Sequence, residues 1–419
     1  MKTQCFDLAS NIFNKVRELE AKNDNSNALK YLDIIINNFP DFAASSYHYK
    51  GYIYFNKLND YENALKSYSK SITINEKYHE AYISRAVLHR YDQNLDNALS
   101  DINSALSLHP NNKTALFNKA IILLSMGLYD EGWTLFENRL VLFPQLTPSY
   151  LRGARWDGRA IEDQTLLLHI EQGLGDTIQF LRYVPILQKF CKKIIIIVPD
   201  TLNSLLSYLT EITIINTFNE TIQYDYYCSL LSLPFLLKNV INYIPDDIPY
   251  IKVESSFIEK WQHKVIANHK KRIGIAWCGS IKHWNDKNRS STLEEMSPIL
   301  NLNADIYVLI NDITDEEAAL LSKKNNVHNF SSCLKSLSDT GALISQMDYI
   351  ITVDTSIAHL AGSLACNVFI LLPFAADFRW QQHRSDSPWY PTAKLFRQNK
   401  RHDWHHPISE ITQIIEQML

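Results

Sequence analysis

The chain has 419 residues, a length that at roughly 100–200 residues per domain predicts two or three domains. Hydrophobic residues make up 46% and charged residues 21%, so each part can bury a core and a wholly disordered chain is excluded. The formal net charge of −4 argues against a dedicated binder of nucleic acid or anionic membrane, whose affinity rests on clustered positive charge.

The opening segment, MKTQCFDLASNIFNKVRELE, carries charges throughout and lacks an apolar h-region, so no signal peptide is expected. The longest conspicuous apolar run, Ile194–Val198, is strand-sized, against the ~18–20 residues that a bilayer span requires. Six cysteines (Cys5, Cys191, Cys228, Cys278, Cys333, Cys366) are scattered with no CxxC pair, the pattern of thiols in a reducing compartment. A soluble cytoplasmic protein is the expectation.

The first third repeats. Ala28, Ala64, Ala98 and Gly132 follow one another at intervals of 36, 34 and 34 residues. Four residues beyond each stands a large apolar side chain: Leu32, Tyr68, Ile102 and Phe136. Upstream lies a second register spaced 4 then 3, as in Tyr47/Gly51/Tyr54 and Tyr82/Ala86/His89. Such spacings put side chains on one helical face, and a small residue lets two helices approach closely. Pro40, Pro110 and Pro144 come twelve residues after their small residue and predict helix ends. The pattern resembles the tetratricopeptide repeat, with His79–Asn112 the cleanest copy and a degenerate fourth unit at GLYDEGWTLFENRL. That resemblance implies a superhelix whose concave surface binds peptides or partner helices. His79, His89 and His109 lie at repeat positions suited to packing rather than ligation.

Two prolines, Gly153 and a WDG turn mark Pro144–Asp157 as the junction. Beyond it, β-rich runs alternate with helical stretches. Strands are expected at Thr165–Ile170, Ile194–Val198, Ile212–Ile215 and Tyr224–Cys228, with helices such as Thr177–Lys189 and Leu202–Leu209 between them. After a break near Pro245–Ser256 the alternation restarts. It predicts strands at Arg272–Trp277, Asp305–Ile310, Tyr349–Val353 and Val368–Leu372, with helices Leu293–Leu300, Glu316–Lys323, Ser338–Gln346 and Thr355–Leu364. The result is an α-solenoid followed by two doubly wound α/β units: domains over 1–148, 149–252 and 253–419. Ligands of such sheets bind at the carboxyl edges of the strands.

Three motifs sit at those edges. In EQGLGD, Gln172, Gly173 and Gly175 form a loop between strand and helix, the two glycines predicting a tight turn. Asp176 there can cap the helix or accept a proton. In VDTSIAHLAGSLAC, Asp354, Thr355 and Ser356 end a strand and open a helix that carries His359. This is either an ordinary capped helix or a seat for a diphosphate and a sugar hydroxyl. In GIAWCGSIKHWNDKNRSSTLEEM, a polar loop follows Gly279-Ser280, with Lys282, His283, Lys287 and Arg289 expected to converge; it is a solvated loop or a source of charge for a departing diphosphate. The tail from Asp377 to Trp404 interleaves aromatics and arginines and is expected to pack rather than bind nucleic acid. His402, His405 and His406 lack Cys or carboxylate partners at ligand spacing, so no metal site is expected.

With FRWQQHRSDSPWYPT and the LFRQ…DW ending, these motifs resemble the heptosyltransferase-like glycosyltransferase family 9, in a form fused behind tetratricopeptide repeats; the likeness runs from about Trp156 to the C-terminus. It implies a GT-B fold of two Rossmann-like domains and a metal-independent, inverting transfer from a nucleotide-diphosphate sugar, with no other cofactor. By that resemblance Asp176 is the general base on the acceptor hydroxyl. Asp354, Thr355, Ser356 and His359 hold the donor, with Gly279 and Ser280 beside it, and Arg289 stands where relatives place a lysine. Leu309-Ile310-Asn311 departs from the family's Ser-Leu-Gln strand end, and Ser356 replaces a frequent glycine, so heptose is not implied.

The expected activity is transfer of a sugar to a protein acceptor bound by the repeats. Alternatives are a surface-polysaccharide or lipopolysaccharide transferase whose repeats serve assembly, with homo-oligomers, and a non-catalytic scaffold. Intact Asp176 and Asp354–His359 weigh against the scaffold.

Overall fold

The computed structural model describes residues 2–171, 173–241, 243–283 and 285–419, with side chains from Phe6 onward. The chain divides into two units after Leu142.

The first unit is built from four antiparallel helix pairs: α1 (Lys2–Ala21) with α2 (Asn25–Asn38), α3 (Ala43–Asn56) with α4 (Tyr61–Ile74), α5 (His79–Tyr91) with α6 (Leu95–Leu108), and α7 (Lys113–Ser125) with α8 (Tyr129–Phe136). The repeat register of the sequence is its core. Ala28, Ala64, Ala98, Leu32 and Ile102 are fully buried, and so are Val16, Ala86 and Ala120 of the first helices. Close approach requires the small residues: a Cβ at Gly51 would lie 2.4 Å from the Tyr68 ring, and one at Gly132 would lie 2.8 Å from Leu124. Pro40 stands just past the end of α2 and Pro110 just past α6, where a missing N–H breaks no ladder. The degenerate fourth unit differs. Its second helix stops at Phe136, and a separate turn of helix forms at Arg139–Leu142.

Each pair is joined by the same turn. Asn23, Asn59, Gln93 and Gly127 occupy left-handed backbone, with φ between 53° and 77°. The residue after the first three, Asp24, Asp60 or Asn94, caps the second helix by accepting the backbone N–H of Asn27, Asn63 or Asn97. Asn and Gly tolerate this conformation; Gln does not share that ease. Replacing Gln93 by Gly relieves roughly 1–2 kcal/mol of strain and adds about 0.5–1 kcal/mol of unfolded-state entropy. The expected result is a gain of about 0.5–1 kcal/mol, read as a higher urea midpoint for the helical unit.

The second unit contains two parallel sheets. The first has β1 (Ala154–Arg155), β2 (Ile161–His169), β3 (Cys191–Ile197), β4 (Ile212–Ile215) and β5 (Tyr226–Ser229), in the order β1-β5-β2-β3-β4. The other has β6 (Arg272–Ala276), β7 (Asp305–Val308), β8 (Val327–His328), β9 (Tyr349–Val353), β10 (Val368–Leu372) and β11 (Ala393–Arg397), in the order β11-β10-β9-β6-β7-β8. Strand pairings within both are parallel. The strand order reverses beside β2 and beside β6, and the carboxyl ends at such switch points are where open parallel sheets take ligands. The run VFILL and the IIII half of CKKIIII are buried, as strands covered on both faces must be, while Lys192 and Lys193 are exposed.

The two lobes touch through two helix pairs. The seven-residue helix Leu174–Phe180 after β2 packs on the helix Ser356–Ser363 after β9, and Asn203–Leu206 packs on Leu337–Ile344. At the second contact the Ser338 hydroxyl donates to that of Ser204 at 2.8 Å.

The helix expected over Thr177–Lys189 is interrupted. It begins at Leu174, tightens to a 3₁₀ turn at Leu181–Tyr183 and restarts at Val184–Leu187. Pro185 in that second start has no N–H to continue the ladder.

Candidate functional site

Both switch points converge on one seam. After β2, the 174–180 helix brings Asp176 to its first turn, with Gly173 as the residue before it. Gly173 has an ordinary φ of −67°, so the turn expected from the two glycines is not left-handed. Gly175 serves close approach instead. A Cβ there would lie 2.9 Å from Cδ2 of His359 and 3.5 Å from Cα of Ser356, both in the other lobe. Gln172 lies outside the described residues.

From the second sheet, β9 ends in Asp354 and passes into the 356–363 helix. Thr355 is its cap, accepting the Ile357 N–H at 3.3 Å. Ser356 is half-buried at the first helical position. After β6 the loop turns at Gly279, whose N–H donates to Ser290, and Ser280 is exposed. Of the four basic residues expected to converge, Arg289 alone turns inward; Lys282, His283 and Lys287 are exposed. The reason is steric and local: Arg289 Nη1 donates to the Asp354 carbonyl at 2.8 Å, through space left by the absent side chain of Gly279.

His359 is buried in the seam. Its Nδ1 pairs with the Tyr390 hydroxyl at 2.9 Å, and its ring stacks on Trp380 with centroids 5.4 Å apart. Burial first, then Arg379, Arg182 and Arg289, hold its pKa well below the usual value, so the ring is neutral.

Arg379, which sequence reasoning did not single out, completes the site. It lies on the turn Phe378–Trp380 that comes after β10. Arg379 Nη2 donates to Asp176 Oδ1 at 2.5 Å, bridging the lobes, and Nη1 pairs with Asp377 Oδ1 at 2.9 Å. The Asp176 and Arg379 side chains are 15% and 10% exposed, so the pair is largely removed from water. Burial raises the Asp176 carboxyl above the ordinary carboxylate value; the pull of Arg379 opposes this and is the smaller effect. Asp354 is pushed up to about 6, by burial and then by Asp377, with Arg379 opposing. Burial pulls Arg397 down to about 10, and its Nη2 donates to the Trp380 carbonyl. Three guanidinium groups and three carboxylates thus meet at the ends of β9, β10 and β11.

Arg182, buried beneath, ties the lobes together. Its Nη2 donates to the Trp389 carbonyl at 2.8 Å, and its guanidinium faces the rings of Tyr250, Trp389 and Tyr390 at 4.8–5.2 Å. The tail from Asp377 therefore packs, as Trp380, Trp389 and Tyr390 attest, and also supplies a charged side chain to the site. Its position just past β10, beside a strand whose end carries Asp354, was the available signal. Among the described residues, no group of three His, Cys, Asp or Glu could hold a metal ion, and no helix is long and apolar enough to cross a membrane.

Gly175→Val tests the seam. The two added methyls overlap the His359 ring, and overpacking of this kind costs about 1–3 kcal/mol. A lowered melting temperature of the second unit is expected, with the helical unit unchanged.

Comparisons with known proteins cover the chain unevenly. A tetratricopeptide-repeat family model matches residues 44–78, that is, α3 and α4 rather than the copy at 79–112 that reads as cleanest. Protein FlbA of Caulobacter vibrioides is 22% identical over 93% of this chain and 69% of its own length. A tetratricopeptide repeat protein from Parabacteroides merdae is 19% identical over 33% of this chain and 54% of its own, with a TM-score of 0.29. A chain in the structure of Naa15/Naa10 bound to HypK-THB is 23% identical over 33% of this chain and 20% of its own, with a TM-score of 0.28. This chain thus spans about half of one of those solved structures and a fifth of the other. The N-terminal unit is a tetratricopeptide-repeat region, and the second unit is an α/β assembly of two parallel sheets.

Proposed function

We propose that the second unit is an inverting glycosyltransferase domain of the GT-B type. In this reading a nucleotide-diphosphate sugar is held at the carboxyl ends of β6 and β9, and an acceptor approaches from the β2 side. Asp176 takes the proton of the acceptor hydroxyl as its oxygen attacks the anomeric carbon. The bond to the diphosphate breaks, its electron pair leaves with the diphosphate, and configuration inverts. Arg289 and Arg379 supply positive charge for the departing diphosphate. Asp354 orients a sugar hydroxyl, while neutral His359 holds the seam. No cofactor beyond the sugar donor is invoked.

One observation carries the reading: a carboxylate from one lobe and a cluster of arginines from the other meet in a single desolvated seam at two topological switch points. A scaffold would gain nothing from burying such charges together. The repeats favour a protein acceptor, because a stacked-repeat surface suits an extended peptide.

The test is a panel of nucleotide sugars incubated with the full chain, monitored for nucleoside diphosphate release. Mass spectrometry of co-purifying proteins then seeks a hexose- or heptose-sized increment. Increments on proteins are expected with wild type and absent with Asp176→Asn. Transfer to a lipid-linked saccharide alone would move the acceptor to the surface-polysaccharide class, and no release from any donor would end the transferase reading.

A further inference from the structure

Arg379 is bound in a way that works against the reaction. One of the two oxygens of the proposed base, Asp176 Oδ1, already accepts from Arg379 Nη2 at 2.5 Å. A guanidinium so close favours the ionised carboxylate and opposes its protonation. At the same time Arg379 is under-used: its Nε is buried and has no hydrogen-bond partner among the described residues. A buried charged donor without an acceptor points to a ligand atom that belongs there.

The segment that carries Arg379 is also strained. Gln381 has φ 51° and ψ −175°, and His383 has φ 58°, regions that non-glycine residues seldom occupy. Two such residues lie within four positions of Arg379, so the turn that carries it stores backbone strain. Beside it, Arg397 has a buried Nε that likewise lacks a hydrogen-bond partner among the described residues. The unused donors thus belong to two guanidinium groups, one on the turn that carries Trp380 and one bonded to the Trp380 carbonyl.

We propose that Arg379 is an exchangeable lock on Asp176, holding the carboxylate until an incoming diphosphate takes over the guanidinium. This rests on the transferase reading. The diphosphate offers two oxygens to the planar fork, where Asp176 offers one. Arg379 turns to it, Asp377 keeping its other Nη, and Asp176 is left without the cation that opposed its protonation. No covalent bond changes in the exchange. The consequence is order: the base is freed only when the donor is in place.

The test is a binding cycle that needs no sugar and no turnover. Inorganic pyrophosphate is titrated by calorimetry into four full-length chains: wild type, Asp176→Asn, Arg379→Gln and the double variant. A lock predicts that Asp176→Asn tightens pyrophosphate binding at least fivefold, because the ligand no longer displaces a carboxylate from Arg379. Arg379→Gln weakens it at least tenfold. In that background, adding Asp176→Asn changes affinity less than twofold.

Equal tightening in both backgrounds would mean simple charge repulsion and overturns the lock, as does any weakening by Asp176→Asn. Absence of pyrophosphate binding in both wild type and Asp176→Asn also overturns it. Should Arg379→Gln not fold, Arg379→Lys serves in its place. Its point charge cannot fork, so the gain from Asp176→Asn is expected to fall at least by half. If no donor is turned over yet the cycle behaves as described, the transferase reading fails and the lock stands as an anion-gated carboxylate.

Discussion

Replacing Asp176 by asparagine is expected to lower sugar transfer by about 10²–10⁴-fold, the range that a positioned general base supplies. Asparagine has nearly the same shape, and its carbonyl can still accept from Arg379, so the lobes stay joined. What it lacks is an oxygen that can take a proton. The pH profile carries a second expectation. Burial raises the Asp176 carboxyl above its ordinary value even against Arg379. The base is competent only when ionised, so the acid limb of kcat/KM should fall away at a pH above that of an ordinary aspartate. Nucleoside diphosphate release with acceptor, measured from pH 4 to 8, reads both. Retained turnover in the asparagine variant would remove Asp176 from the chemistry while leaving its place in the seam untouched.

How much of this was legible beforehand depends on the range of the interactions. Strands Tyr349–Val353 and Val368–Leu372 stand where their apolar runs place them, because a strand buried on both faces is a near-continuous apolar run; Ile212–Ile215 also stands where expected, as a half-buried edge strand. The two-residue strands β1 and β8 carry no pattern long enough to read, and β11 alternates only briefly behind a turn rich in Trp and Pro. The repeat register was legible because its partners are close in sequence. The turn at Asn23, Asn59, Gln93 and Gly127 also recurs every 34–36 residues, yet Gln93 lacks the Asn or Gly that announces it. At the site, Asp176 and Asp354 could be named from strand ends. Arg379 was harder to name: its place just past β10 was a signal, but its partner Asp176 is 203 residues away. Likewise Lys282 and Arg289 look equivalent in sequence. What separates them is the carbonyl of Asp354 and the missing Cβ of Gly279.

Asparagine at position 354 should make the second unit more stable at neutral pH while impairing the proposed sugar transfer. Asp354 sits at the end of β9 with its carboxyl pushed up to about 6, chiefly by burial and then by Asp377. An unfolded chain returns it to the ordinary value near 3.8. Between pH 4 and 6 the folded state therefore holds a proton that the unfolded state has released, and stability falls as pH rises through that window. By pH 7 the ionised carboxylate costs the fold roughly 1–3 kcal/mol, at about 1.4 kcal/mol per unit of displacement. Asparagine carries no such charge. The variant should recover that amount at pH 7 and show a shallower loss between pH 4 and 6, read as the difference between the two chains in urea midpoint of the second unit. Turnover should drop at least tenfold, because the oriented carboxylate is what a sugar hydroxyl would donate to. A site that keeps a costly charge where an amide would be more stable is one held for function, and a variant less stable than wild type at pH 7 would show instead that Asp354 is there for the fold.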